Sequence, residues 1–300
     1  MIETPTQQVL IEAAGMGLSG LLAVPDDAPR AVIVALHGGS VTSGIYGDMI
    51  PGEPSFLELA AGLGFTALAI DRPGYGSSTG LAPEGTTFDA QVIVLRSALD
   101  RVWELYGVGS AGIFLTGNSI GGMIALCLAA SDLDAPLLGV ATHGTGLGWL
   151  SGGFGDVLRT ALDNTTTDTI DPRGRNTAVY GPPWSWDPAA APQLRNASVP
   201  APVGELRDAL EWPDRLRRIA PAVQVPVRMA IAEYDDRWSS APDQLLEIAR
   251  IFTAAPFVDV HRQRFVGHQL CANYAARGFY ESELGFVEEC RVHKLNVPTL

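Results

Sequence analysis

An apolar run, Ile113-Phe114-Leu115, passes through Thr116 into Gly117-Asn118-Ser119-Ile120-Gly121, and an apolar helical pattern begins at once. Ile120, Met123, Ile124 and Cys127 fall at i, i+3, i+4 and i+7, which is one face of a helix. The stretch therefore reads as strand, very tight turn and helix, with Ser119 at the apex. A residue on so sharp a corner sits in strained backbone, and glycines on both sides let strand and helix approach without Cβ clashes. The free N–H groups of the first helical turn, with the positive end of the helix dipole, then face whatever lies beside the serine. An ordinary glycine-rich turn has the same letters, so the surrounding chain has to decide between the two readings.

That surrounding chain alternates. Residues 9–11 and 18–24 are apolar stretches parted by Gly15 and Gly17, and they suggest an opening hairpin. Residues 31–36 form a continuous apolar run suited to a strand buried on both faces, and the run ends in His37-Gly38-Gly39-Ser40. A helix pattern at 56–63 leads to a second buried strand at 65–70, which empties into Asp71-Arg72-Pro73-Gly74-Tyr75-Gly76-Ser77-Ser78. A long helix at 88–106 precedes the strand to Ser119, and 137–141 is the next strand. The rhythm resumes with a strand at 225–232, a helix at 243–252 and a strand at 257–261. A loop carrying Phe265-Val266-Gly267-His268 and a helix from 273 to about 292 close the chain. The pattern predicts an α/β fold with a mostly parallel central sheet and helices on both faces.

Residues 145–221 interrupt it. They are rich in Gly, Pro, Trp, Thr and Asp without a clean period over much of the stretch, and Gly181-Pro182-Pro183-Trp184-Ser185-Trp186-Asp187-Pro188 cannot be regular helix or central strand. So long an irregular stretch inside a compact domain is usually functional. Trp149, Trp184, Trp186 and Trp212 argue against a disordered linker. The domain reading is thus a first core part at 1–144, an insertion at 145–221 and a second core part at 222–300.

Net charge of −13 and a sequence pI near 4.7 exclude the basic stripe that nucleic acid needs, and solubility accounts for the acidity. The first ten residues lack the basic start and long apolar run of a secretory signal, and no stretch approaches the roughly 18 apolar residues of a membrane span. Cys127, Cys271 and Cys290 are odd in number and have no metal-ligand spacing. These features lead us to expect a cytoplasmic chain with reduced thiols and no nucleic-acid or membrane partner. Oligomeric state is not readable.

The Gly-x-Ser-x-Gly turn in its strand–helix setting resembles the nucleophile elbow of the α/β-hydrolase superfamily. The resemblance covers the chain from about Leu18 to the last helix, apart from residues 145–221, whose place is similar to that of the cap these enzymes insert between the sixth and seventh strands. It implies a serine nucleophile, Ser119, which needs a base to take its proton. His268, after a glycine on the loop following the last strand, stands where the superfamily places that base; His143 is the rival. Asp235 follows the 227–232 strand in Ala232-Glu233-Tyr234-Asp235, similar to a Gly-x-x-Asp turn with Ala232 in place of glycine, and Asp236 competes for the same role. The order Ser119, Asp235, His268 is the order of this fold. Oxyanion donors are expected at the backbone of Ile120 and of Gly39, and the Asp71–Ser77 loop is expected to shape the wall of the site.

The resemblance implies cleavage of an ester, thioester or lactone through a Ser119 acyl-enzyme, with no metal and no organic cofactor. The insertion's tryptophans suggest a bulky, apolar small-molecule acyl substrate, with Trp184 and Trp186 in the pocket wall. Rival outcomes are an acyltransferase or cyclase using the same residues with an acceptor other than water, and a non-catalytic ligand-binding member of the fold.

Overall fold

The computed structural model describes residues 6–78, 83–171 and 177–296. Eight strands make one sheet in the order β1-β2-β4-β3-β5-β6-β9-β10. They are β1 (Gln7–Ala13), β2 (Met16–Ala23), β3 (Val32–Leu36), β4 (Thr66–Ile70), β5 (Ile113–Asn118), β6 (Leu137–His143), β9 (Val227–Tyr234) and β10 (Val258–Gly267). β7 (Thr169–Ile170) and β8 (Ala201–Pro202) pair with each other in a separate two-stranded sheet. β1 and β2 form the expected hairpin, and β2 lies antiparallel to β4. Every other pairing in the large sheet is parallel.

β3 and β4 are buried at all positions, as continuous apolar runs require. Their side chains alternate between two cores. Val32, Val34, Leu36, Leu68 and Ile70 point to one face, and Ile33, Ala35, Ala67 and Ala69 to the other. The first face is covered by α2 (Phe88–Tyr106), α3 (Ile120–Ala129) and α8 (Pro242–Ile251), the second by α1 (Phe56–Gly62) and α9 (Ala276–Asn296). α1 begins with a capping box in which Ser55 Oγ accepts from Glu58 N at 3.2 Å and Glu58 accepts from Ser55 N at 2.7 Å. Among the described residues no helix is long and apolar enough to cross a membrane. The three cysteines are buried and free.

The chain leaves the sheet after β6 and rejoins it at β9, which are the sixth and seventh strands of the sheet. Between them stand α4 (Phe154–Asn164), α5 (Ala191–Ala197), α6 (Val203–Leu210) and α7 (Trp212–Ile219), so the insertion is more regular than its sequence suggests. Each helix is short and buries few side chains: Leu158 and Leu162 in α4, Leu206 and Ala209 in α6, Trp212 and Leu216 in α7. Two or three apolar positions among glycines, prolines and threonines do not make a visible period. Residues 181–188 hold no α-helix and no strand of the sheet, as their prolines require, although Trp186 makes an isolated bridge with Asn273 and Pro188 opens a short 3-10 helix. Residues 172–176 of the insertion lie outside the described residues.

α9 carries a carboxyl group into the core. Glu283 is 2% exposed; its Oε1 accepts from Thr116 Oγ1 at 2.8 Å, and its Oε2 has no partner among the described residues. Burial pushes this carboxyl up to about 7, and the Thr116 hydrogen bond offsets only part of that. The folded chain therefore holds a proton that the unfolded chain, with an ordinary value of 4.5, releases. Stability from this group is full below the unfolded value and is lost as pH rises toward about 7, by on the order of 3 kcal/mol. Glu283→Gln is expected to remove that dependence, so that the variant gains on the wild type from pH 5 to pH 8 in urea-unfolding series. A wild-type-minus-variant difference that stays flat across this range would show that Glu283 is ionised in the native core.

Candidate active site

β5 ends at Asn118 and α3 begins at Ile120, so a single residue turns the chain. Ser119 sits there at φ 52° and ψ −121°, in a region that costs an L-residue about 1–3 kcal/mol and persists only where its surroundings enforce it. The enforcement is close packing. A Cβ on Gly121 would lie 2.0 Å from the carbonyl oxygen of Leu36 on β3, so only glycine lets α3 start there. A serine at a helix N-cap ordinarily spends its hydroxyl on the first-turn amides. Ser119 makes no such bond, and its Oγ lies instead 2.9 Å from His268 Nε2.

His268 Nδ1 is 3.0 Å from each carboxylate oxygen of Asp235. A carboxylate only accepts, which leaves the proton on Nδ1 and makes Nε2 the acceptor for the serine hydroxyl. Asp235 is 8% exposed, and its Oδ1 also accepts from the backbone N–H groups of Arg237 at 3.0 Å and Trp238 at 3.2 Å. Burial alone raises this carboxyl, but the imidazole beside it, their hydrogen bond and Arg237 outweigh burial and hold it below the usual carboxylate range. β10 delivers His268 through a register shift between Gln263 and Gly267. The strand runs farther than its apolar residues indicate, because pairing with β9 continues past the polar Arg262 and Gln263.

The rivals stand beside the site but turn to other partners. Asp236 turns toward Arg237, with Oδ1 3.3 Å from Nε. His143 ends β6, packs edge-on against Phe279 and is held down to about 3 by burial and the neighbouring His268. Its backbone is what reaches the site, since its carbonyl accepts the Ser119 N–H at 2.8 Å. Asp235, Asp236 and His268 lie close enough to serve together as metal ligands, but both nitrogens of His268 already have partners in Asp235 and Ser119.

Gly39 and Ile120 flank Ser119 in one cleft, and a Cβ on Gly39 would lie 2.8 Å from Ile120 Cδ1. The loop bearing Gly39 is clamped from inside. Arg72 donates from Nε to His37 O at 2.8 Å and from Nη2 to Gly38 O at 3.1 Å, while its backbone N–H meets His37 Nε2 at 2.9 Å. Burial first, and Arg72 second, hold the His37 imidazole well below its ordinary value, so it stays neutral and accepts that N–H. The same guanidinium reaches into the insertion and donates from Nη1 to Glu205 Oε2 on α6 at 2.6 Å. Gln91 Nε2 also donates to Glu205, at 2.9 Å, and the Tyr75 hydroxyl completes the set. Arg72 and Glu205 are both fully buried.

Ser119 opens on two clefts. One has an apolar wall that includes Met123, Trp149, Phe154, Leu158, Leu206 and Trp238. The other is more polar and is lined by Asn118, Val179, Tyr180, Ser198, His268 and Gln269 among others. Arg237 lines both. The structure places neither Trp184 nor Trp186 in either lining. Trp184 is 59% exposed and edge-on to Tyr234 and Phe265, and Trp186 packs against Tyr180. The tryptophans that do line a cleft are Trp149 and Trp238, stacked at 3.9 Å.

Sequence reasoning missed Glu205, Arg237 and Trp238. Glu205 stands in Gly204-Glu205-Leu206-Arg207-Asp208, where no pattern separates a buried carboxylate from solvated ones. Arg237 follows two aspartates and reads as part of a polar turn.

The sequence matches the model of the Alpha/beta hydrolase family over residues 33–281. No curated protein matches it. Among solved structures, the chain is similar to a thermostable carboxyl esterase from Bacillus coagulans, with TM-score 0.71, 16% identity and coverage of 95% of this chain and 99% of that one. It is also similar to a monoacylglycerol lipase from Paleococcus ferrophilus, with TM-score 0.69, 18% identity and coverage of 92% and 100%. A thioesterase domain from the curacin biosynthetic pathway aligns with TM-score 0.61 and 15% identity over 95% and 99%. Elbow, strand order and a family match over most of its length lead to one conclusion: the chain belongs to the alpha/beta hydrolase family.

Proposed function

We propose that the protein is a serine hydrolase that cleaves a carboxylic ester or thioester through an acyl-enzyme on Ser119. The observation that carries this reading is the unbroken hydrogen-bonded line from Asp235 through His268 to a Ser119 hydroxyl that makes no helix cap. His268 Nε2 takes the Ser119 proton as Oγ attacks the acyl carbon. Asp235 fixes the tautomer and steadies the imidazolium. The oxyanion is received by the N–H groups of Ile120, which has no intrahelical acceptor, and of Gly39. His268 then returns the proton to the departing alcohol or thiol, and water repeats the sequence in reverse to free the acid.

The apolar cleft takes the acyl chain and the more polar cleft takes the leaving group. Trp149 and Trp238 replace Trp184 and Trp186 as the wall for a bulky apolar acyl portion. The helices of residues 145–221 act as a cap, since Trp149, Phe154, Leu206 and Tyr180 from that stretch face the clefts. Three buried free thiols suit a reducing compartment such as the cytoplasm.

A fluorophosphonate probe followed by mass mapping tests the mechanism. Label is expected on Ser119, and Ser119→Ala is expected to abolish both labelling and ester turnover. Label on another residue, or a folded protein that takes none, overturns the proposal.

A further inference from the structure

Arg237 helps hold the Asp235 carboxyl low, but its place between the two clefts is one that the acyl-transfer steps do not use. It is 9% exposed, yet it lines both clefts at Ser119. Its guanidinium carbon lies 4.0 Å from the centre of the Phe154 ring, on the apolar side. Among the described residues its guanidinium has one polar partner, Asp236, which takes Nε at 3.3 Å and is itself 30% exposed. The remaining donors, on Nη1 and Nη2, have none. The other carboxylates near the site are committed: Asp235 to His268 and to two backbone amides, Glu205 to Arg72. The indole N–H groups of Trp149 and Trp238, in the same wall, are buried without an acceptor among the described residues. A guanidinium offers paired donors in a planar fork that matches a carboxylate. A wall that is apolar for most of its extent and carries one such fork suits a ligand of the same make-up.

Resting on the serine-hydrolase reading above, we propose that Arg237 is a specificity residue, and that the acyl part of the substrate has an apolar body bearing a carboxylate. The substrate class is then a half-ester or half-thioester of a dicarboxylic acid. The alternative is that Arg237 only joins Asp236 to Phe154 and braces the turn after β9. The two differ in what they predict for matched substrates.

The test compares monoethyl esters of dicarboxylic acids from succinate to suberate with ethyl esters of monocarboxylic acids of equal chain length. At the best length, kcat/KM is expected to favour the half-ester by about tenfold or more, the range of a charge-assisted hydrogen bond. Arg237→Met should bring the ratio to about one or below, and Arg237→Lys should keep part of it, which a bracing role does not predict. Arg237→Gln, closer in shape, serves if the Met variant melts early. A wild-type ratio at or below one across the series overturns the proposal, as does a ratio that Arg237→Met leaves unchanged. Calorimetric titration of the free dicarboxylates into wild type and Arg237→Met reads the same site without turnover. Binding that the variant loses supports the carboxylate site even if no ester is cleaved, in which case fluorophosphonate labelling shows separately that the hydrolase reading has failed. Absence of both preference and binding removes the site whatever the labelling shows.

Discussion

Asp235→Asn is expected to lower kcat by up to about 10⁴-fold, as the equivalent change does in serine proteases, with little change in melting temperature. The reason lies in which atom an asparagine would turn toward His268. Oδ1 of Asp235 is fixed by two backbone N–H groups, from Arg237 and Trp238. An asparagine keeps its carbonyl oxygen on those donors and presents its amide nitrogen to His268 Nδ1. Nδ1 must then accept, the ring proton moves to Nε2, and Nε2 can no longer take the serine proton. Asp236→Asn, which changes a partly exposed contact to Arg237 Nε, should have a much smaller effect on kcat for a neutral ester. A near-normal Asp235→Asn beside a crippled Asp236→Asn would hand the role to Asp236.

The second large effect concerns the clamp beneath the Gly39 loop. Glu205→Ala leaves the fully buried Arg72 guanidinium without its carboxylate, and breaking a buried pair from one side costs about 3–5 kcal/mol. That is a large share of the roughly 5–15 kcal/mol that holds a domain folded. At roughly 2–4 °C per kcal/mol for larger domains, the melting temperature should fall by about 10 °C. Activity of the surviving folded protein should also fall, because the same arginine holds the carbonyls of His37 and Gly38. Glu205→Gln keeps acceptors for Arg72 and Tyr75 and should lose less. A loss below about 1 kcal/mol in Glu205→Ala, by reversible denaturant unfolding, would mean that water replaces the carboxylate and that the clamp contributes little.

The sheet was legible because strands buried on both faces must be continuously apolar, as in Val32–Leu36 and Thr66–Ile70. The elbow was legible because Gly117 and Gly121 answer a steric demand within a few residues of sequence. Ser119, Asp235 and His268 each follow a strand at one edge of the sheet, so topology alone gathers them. What could not be read are contacts between distant segments. Glu205 meets Arg72 across 133 positions of chain, and nothing local marks either partner as buried. The insertion's helices escaped notice because each buries few side chains. Composition carries no direction, so sequence alone does not separate Trp184, which is mostly exposed, from Trp149, which lines a cleft.

Ser119 lines both clefts, and under the proposed mechanism that arrangement would set an order of departure. On the proposed acyl-enzyme, the acyl group would stay tethered on one side while the alcohol or thiol leaves by the other. Whatever ends the cycle must come in through the vacated side, past Val179, Tyr180, Ser198 and Gln269. Competition between water and a second alcohol is therefore decided by side chains that never meet the acyl group. If the proposed mechanism holds, drying that entrance would favour acyl transfer over hydrolysis with Ser119, His268 and Asp235 untouched.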